Sequence, residues 1–281
     1  MNPIDLNLVR DTLLTALRED VGAGDITSRA IIPPDARASA RYTTKQALVV
    51  AGVPVVGEIL RLVDPDVEFK AIAPDSASVA AGTVLASVHG PARSILTAER
   101  TSLNLLQRMC GIATLTRQYV DRVRGANARI VDTRKTAPGL RVLDKYAVAC
   151  GGGMNHRMGL FDGVLIKNNH LAFHASPEHA IQEARRNLGH LVKIEVEVRT
   201  LDELRTALDA GADVILLDNF DPGLTRKAVE IAGGRVPLES SGGITLETVR
   251  SFAEAGVDYI SIGALTHSVP AVDIHLRVTP D

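Results

Sequence analysis

The chain reads as an α/β protein: an α/β barrel, closed or nearly so, preceded by an α+β layer. Three observations predict this. From Ala128 onward, six short runs recur with helical segments between most of them: "ARIVDT", "GVLIK", "KIEVEV", "DVILLDN", "RVPLES" and "DYISIG". The runs are mostly apolar rather than alternating, as strands of a parallel sheet covered on both faces should be. Before about residue 110 the pattern differs, with short strands joined by turns and few helices, which marks an α+β layer. Six βα units in line favour a barrel over an open sheet. A doubly wound open sheet is the structural alternative, but the chain has no Gly-x-Gly-x-x-Gly fingerprint.

The elements follow in order. Leu6, Val9, Leu13 and Leu17 recur at helical spacing and predict an amphipathic first helix. "VGAGDITSRAIIPPDA", rich in Gly, Pro and Asp, predicts a loop. "ARASARYTT", "ALVVAG", "VEFKAIA" and "TVLASVHG" read as strands, with the helix "PVVGEILRLVD" among them. A long helical segment starts at Ile95. "LDELRTALDAG" and "TLETVRSFAEAG" are helices that stop at Gly after Ala. The tail "AVDIHLRV" alternates Val272, Ile274, Leu276 and Val278 with polar residues, so it is a half-buried strand of the antiparallel kind. The expected division is an N-terminal domain over residues 1–112, completed by the tail 271–281, and a barrel domain over 113–270.

Composition narrows the function. The 281 residues are 46% hydrophobic and 23% charged, enough for a full core. A net charge of −2 argues against nucleic acid as a partner. The N-terminus has no signal-peptide pattern, and no run reaches a membrane span. Two cysteines, Cys110 and Cys150, make no disulfide framework, so the expected location is the reducing cytoplasm.

Barrel chemistry sits at the C-terminal ends of the strands. Those ends carry Thr133, Arg134 and Lys135, then Lys167, Asn168, Asn169 and His170, then Glu195 and Glu197. Asp218 and Asn219, then Glu239, Ser240, Ser241, Gly242 and Gly243, and finally Gly263 and Ala264 complete the series. "GGGMNHRMG" adds His156 and Arg157. Arg141 and Lys145 stand i, i+4 on a helix, and the ordinary reading of such a pair is solvated surface. His156 taken alone is a hydrogen-bonded structural histidine. Glu195 and Glu197 share one face of a strand, and one of the two is expected to pair low in the barrel with Lys193 or another cation. Taken together, Arg134, Lys135, Arg157 and Lys167 converge on one mouth. Glu197 and Asp218 cannot neutralise them alone, and burying unpaired charge is prohibitive. A ligand should therefore bring the remaining anions. "SSGGI" before a helix, with "SIGA" beside it, suits a phosphate. Two acids between these regions can hold sugar hydroxyls or a hydrated Mg²⁺. The implied ligand class is a phosphorylated sugar joined to an acidic small molecule.

At these residues the chain resembles the quinolinate phosphoribosyltransferase family. The resemblance is carried by "LTAERTSLNLLQRMCGIAT", "DTRKTAPGLRVLDKYAVACGGGMNHRMGLFDGVLIKNNH", "EVEV", "LLDNF", "LESSGGI" and "GVDYISIGALTHS". It implies an incomplete α/β barrel of the type II phosphoribosyltransferase kind with an N-terminal sandwich. The reaction it implies joins quinolinate to phosphoribosyl pyrophosphate with Mg²⁺, giving nicotinate mononucleotide, pyrophosphate and CO₂. It implies a homodimer or a trimer of dimers, with Arg100 lent across the dimer. Arg134, Lys135, Arg157 and Lys167, with Thr133 and His156 beside them, then hold quinolinate and pyrophosphate. Lys135, Glu197 and Asp218 carry the chemistry. Glu197 and Asp218 lie near the ribose and Mg²⁺. Ser241, Gly242, Gly243, Ile262, Gly263 and Ala264 take the 5′-phosphate. One position departs from the family pattern: "KNNH" has Asn168 where the family has an acid. Other readings stay open here. They are a same-fold paralogue acting on another acidic base, as in molybdenum systems, a phosphate-binding barrel lyase or isomerase, and a pyridine-nucleotide sensor.

Overall fold

The computed structural model describes residues 3–281. In chain order the first elements are α1 (Arg10–Val21), α2 (Ile26–Ile31), β1 (Arg37–Thr44), β2 (Leu48–Val49), α3 (Val53–Val63), β3 (Glu68–Ala71), β4 (Ser78–Val79), β5 (Val84–Pro91) and α4 (Ala92–Arg122). Next come β6 (Arg129–Val131), α5 (Arg141–Cys150), β7 (Val164–Ile166), α6 (Asn168–Leu171), α7 (Pro177–Asn187), β8 (Ile194–Val198) and α8 (Leu201–Asp209). The chain ends with β9 (Val214–Asp218), α9 (Pro222–Ala232), β10 (Leu238–Ser241), α10 (Val249–Ala255), β11 (Tyr259–Ser261), α11 (Ala264–His267) and β12 (Ile274–Pro280). Two compact units result. One runs to Arg117 and takes in Thr136–Gly152 and Leu265–Asp281; the other comprises Gln118–Lys135 and Gly153–Ala264.

In the first unit an antiparallel sheet runs β12-β1-β5-β3. The tail pairs with β1 from Ala38↔Pro280 to Thr44↔Ile274, and its alternation buries Val272 and Ile274. α3 buries Val53, Val56, Ile59 and Leu60, each such side chain contributing about 1.5–3 kcal/mol of transfer energy. The Asp75 carboxylate accepts hydrogen bonds from Gly52 N–H (3.0 Å) and Val53 N–H (3.1 Å), satisfying donors that the start of α3 leaves open. In the core, the Tyr42 hydroxyl and Ser102 share a hydrogen bond of 2.8 Å. Both cysteines are buried and free, and burial pushes each thiol up to about 12, so neither is a thiolate at neutral pH.

Two expectations need correction here. The loop over residues 21–36 contains α2, because Asp25 caps it: its carboxylate accepts from Ser28 N–H at 2.9 Å. Lys145 is not solvated surface. It is wholly buried beside Asp144, which takes a two-pronged bond from Arg108 at 2.8 Å in each arm. Arg141 is half-buried, with Nε donating to Thr136 Oγ1.

The second unit holds six parallel strands in the order β6-β11-β10-β9-β8-β7. The first barrel strand, β6, pairs with the last, β11, while β7 pairs only with β8. The ring is therefore open between β6 and β7, where a single bridge joins Val131 to Met154. The chain between these two strands passes through Thr136–Gly152, which belongs to the first unit, and leaves β6 and β7 without mutual hydrogen bonds. α10 stops at Gly256, whose φ of +101° only glycine adopts without strain. Among the described residues, no helix is long and apolar enough to cross a membrane.

Candidate functional site

The strand ends of the second unit line one cavity. Thr133, Arg134 and Lys135 follow β6, and Lys167 follows β7. Glu197 stands on β8, Asp218 ends β9, and Glu239 and Ser241 lie on β10. His156 and Arg157 enter from the segment before β7, and Leu165, Leu216 and Ser261 complete the wall. Gly242 and Gly243 directly follow β10. Ile262, Gly263 and Ala264 directly follow β11. Arg100 is exposed on α4 in the first unit and is not among the lining residues.

Glu239 joins Glu197 and Asp218 among the lining acids, and two further buried acids, Asp132 and Glu195, bond to the lining residue His156. Asp132 accepts from His156 N–H at 2.8 Å and from the Asn155 amide at 2.6 Å. His156 Nδ1 accepts from Arg157 N–H at 2.7 Å, so the ring proton sits on Nε2. That Nε2 meets Glu195 at 3.0 Å and Glu239 at 3.8 Å. Glu195 thus pairs with His156, not with Lys193, which is exposed. The alternation along β8 and β10 turns Glu195 and Glu239 to the same side as Glu197 and Ser241, and that was the signal for this cluster. Burial, then the neighbouring Glu195 charge, pushes the Glu239 carboxyl up to about 7.

A titration consequence follows from that carboxyl. A carboxyl raised above its ordinary 4.5 takes up a proton on folding. Its contribution therefore falls as pH rises from about 4.5 to about 7 and is flat above that. Glu239→Gln should gain stability relative to wild type across that window. Denaturation midpoints measured from pH 5 to pH 8 test it; a constant offset would refute the assignment.

Arg134, Lys135, Arg157 and Lys167 line the same cavity. Arg157 Nη1 donates to Gly163 O at 2.9 Å. Burial, then the like charge of Arg134, holds its guanidinium below its usual range. Lys167 caps α6, its N–H donating to His170 Nδ1 at 2.9 Å. The residue that departs from the family pattern has a partner: the Asn168 amide donates to Glu197 Oε1. Asp218 is held by Arg199 Nε at 3.2 Å and by the Asn219 amide at 3.0 Å. Arg199, directly past the end of β8, is absent from the strand-end residues drawn from the sequence, which stop at Glu197 on this strand.

The glycine turn has its own geometry. Gly242 has φ +106° and Gly243 +60°. A Cβ at Gly242 would collide with the Asn219 side chain, so the turn requires glycine. The expected helix start directly after "SSGGI" is corrected: α10 begins at Val249. Thr248 Oγ1 turns back to accept Thr245 N–H at 3.0 Å, forming a turn where the helix was expected to start. By contrast α11 starts at Ala264, directly after "SIG".

Comparison with known proteins places this arrangement. The C-terminal domain of quinolinate phosphoribosyl transferase matches residues 112–277, and the N-terminal domain matches 25–110. The chain is 45% identical to a probable nicotinate-nucleotide pyrophosphorylase [carboxylating] of Bacillus subtilis, over 93% of this chain and 90% of that one. It is 44% identical to the nicotinate-nucleotide pyrophosphorylase [carboxylating] of Mycobacterium leprae, over 98% and 99%. The crystal structure of NadC from Streptococcus pyogenes superposes with a TM-score of 0.96 at 36% identity, covering 100% of both chains. The nicotinate-nucleotide pyrophosphorylase from Francisella tularensis gives 0.93 at 38%, covering 99% and 98%.

Proposed function

The chain belongs to the quinolinate phosphoribosyl transferase family, and we propose that its barrel mouth joins quinolinate to phosphoribosyl pyrophosphate. The products are nicotinate mononucleotide, pyrophosphate and CO₂, a step of de novo NAD synthesis. One observation carries this reading. A single cavity sets Arg134, Lys135, Arg157 and Lys167 beside the carboxylates Glu197 and Asp218, with the Gly242–Gly243 turn following β10. A lyase or isomerase that only holds phosphate has no use for four cations gathered in one cavity with Glu197 and Asp218. The direct test mixes the chain with quinolinate, phosphoribosyl pyrophosphate and Mg²⁺ and follows CO₂ and the mononucleotide. Absence of both products would reject the reading.

The chemistry follows from the charges. Breaking the anomeric C–O bond builds positive charge on the ribose, which Glu197 and Asp218 stabilise from the cavity wall. Lys135 and Arg134 stabilise the leaving pyrophosphate, and preorganised charge of this kind is the largest catalytic contribution in most enzymes. The pyridine nitrogen is the nucleophile, so the buried, neutral thiols of Cys110 and Cys150 have no role in bond formation. Arg157 and Lys167 bind quinolinate carboxylates, Arg157 with a two-pronged bond. Once the ring nitrogen is cationic it accepts the electron pair released as CO₂ leaves.

Glu197 and Asp218 also fit a hydrated Mg²⁺. They stand on adjacent strands, are hard oxygen donors, and line the cavity where the pyrophosphate would enter. When bound, the ion supplies positive charge to the pyrophosphate. Asn168 is a positioning residue for this pair. Asn168→Ala removes a hydrogen bond to a charged carboxylate, worth about 1.5–3 kcal/mol, so kcat/KM should fall about tenfold or more. A loss within twofold, measured at saturating Mg²⁺, would refute that role.

The assembly we propose is a homodimer or a trimer of dimers, with Arg100 completing a neighbour's site. Arg100 is exposed on α4 and is not among the residues that line the cavity, which supports this. Mixing Arg100→Ala chains with Lys135→Ala chains should then restore activity that neither has alone. No gain on mixing would sink the shared site. The two free, buried thiols favour a reducing compartment, and we propose a cytoplasmic location.

A further inference from the structure

We infer that His174, His179 and Glu183 form a second site, separate from the cavity, that binds a zinc-type divalent transition-metal ion. None of the three lines the cavity. Among the described residues they are one of two groups whose ligand atoms all lie within 4.8 Å of one another; the other group is His156, Glu195 and Glu239.

The local sequence makes the convergence. His179 and Glu183 are i, i+4 on α7 and share one helix face. Ser176 caps that helix and accepts His179 N–H at 3.2 Å, which fixes the first turn. His174 lies in the turn just before it. His174 Nδ1 stands 3.3 Å from His179 Nδ1 and 3.6 Å from Glu183 Oε2. Ligand atoms about 2.0–2.1 Å from a tetrahedral ion stand about 3.3–3.4 Å apart, so the spacing matches two edges of such a tetrahedron. The side chains remain reachable, His174 at 25% and Glu183 at 47% exposure. Two imidazole nitrogens and one carboxylate oxygen suit zinc and disfavour the all-oxygen ions Mg²⁺ and Ca²⁺. The three residues leave a fourth tetrahedral position for water.

The placement has a structural consequence. β7 is the edge strand at the opening of the barrel, with β8 as its one partner. An ion held here would cross-link the α6–α7 turn to α7, within the segment that connects β7 to β8. It would stabilise the fold by mass action and raise the unfolding midpoint.

Calorimetric titration of the full chain with Zn²⁺, in excess Mg²⁺, tests the site. Wild type should bind one more equivalent than His179→Ala, and Glu183→Gln should bind that equivalent at least about tenfold more weakly. Zn²⁺ taken up by the His156 group is common to all three proteins and cancels in the comparison. Zn²⁺ should also raise the unfolding midpoint of wild type by more than that of either variant. Equal stoichiometry and affinity in wild type and both variants would overturn the site. If His179→Ala does not fold, the milder Glu183→Gln decides alone: unchanged affinity overturns the proposal, and weakened affinity supports it.

Discussion

Nicotinate should be turned over at least about 10⁴-fold less efficiently than quinolinate, compared as kcat/KM at the same phosphoribosyl pyrophosphate concentration. That is the scale on which a site built around a polar substrate group rejects the analogue lacking it. The two acids differ by the 2-carboxylate alone. The cation wall is built for it: Arg157 is anchored on Gly163 O, and its guanidinium is held below its usual range by burial and by the like charge of Arg134. An arriving carboxylate relieves that repulsion. Nicotinate brings one negative charge fewer and sets a C–H where the carboxylate should be. It also lacks the group that leaves as CO₂, so a nicotinate product could form only without decarboxylation. Turnover of nicotinate within tenfold of quinolinate would reject the cationic pocket as the basis of substrate choice.

Arg134→Ala and Lys135→Ala should each lower kcat/KM by about a hundredfold or more, the loss seen when one preorganised charge is removed. Both residues follow β6 and line the cavity, and Lys135 is oriented from its own backbone, its N–H donating to Thr133 Oγ1 at 3.0 Å. Arg134→Lys should recover only part of the loss, because an ammonium keeps the charge but not the planar two-pronged geometry. Steady-state kinetics with unfolding midpoints alongside separate a catalytic loss from a folding one. Activity within twofold of wild type in either alanine variant would remove that residue from the mechanism.

The site was legible in the sequence to the extent that it depends on strand ends. An apolar run followed by "DTRK" or "IKNNH" marks a buried strand and the charged side chains at its mouth. Nothing beyond period and composition is needed to place Arg134, Lys135, Lys167, Glu197 and Asp218 at one end of one sheet. The acids around His156 were less legible. Glu195 and Glu239 were visible as residues, but their partner, His156, arrives from a segment far away in the chain. Which nitrogen of His156 carries the proton depends on Arg157 N–H, a backbone contact that no spacing announces. Lys145 misled for a related reason. An i, i+4 cation pair looks like surface until the neighbouring elements bury it beside an Arg108–Asp144 pair separated widely in sequence.

By itself the sequence determined the βα alternation, the separate N-terminal layer, the returning tail and the identity of the charged residues at the strand ends. These are local properties, set by the periods of helix and strand and by glycine and aspartate at the turns. Only the tertiary structure decided which long-range pairs form. It joined β6 to β11 and left β7 open, buried Lys145, and set Asn168 on Glu197. Such pairings depend on packing between segments distant in the chain, where the cost of burying a charge or leaving a donor unmet selects the partner.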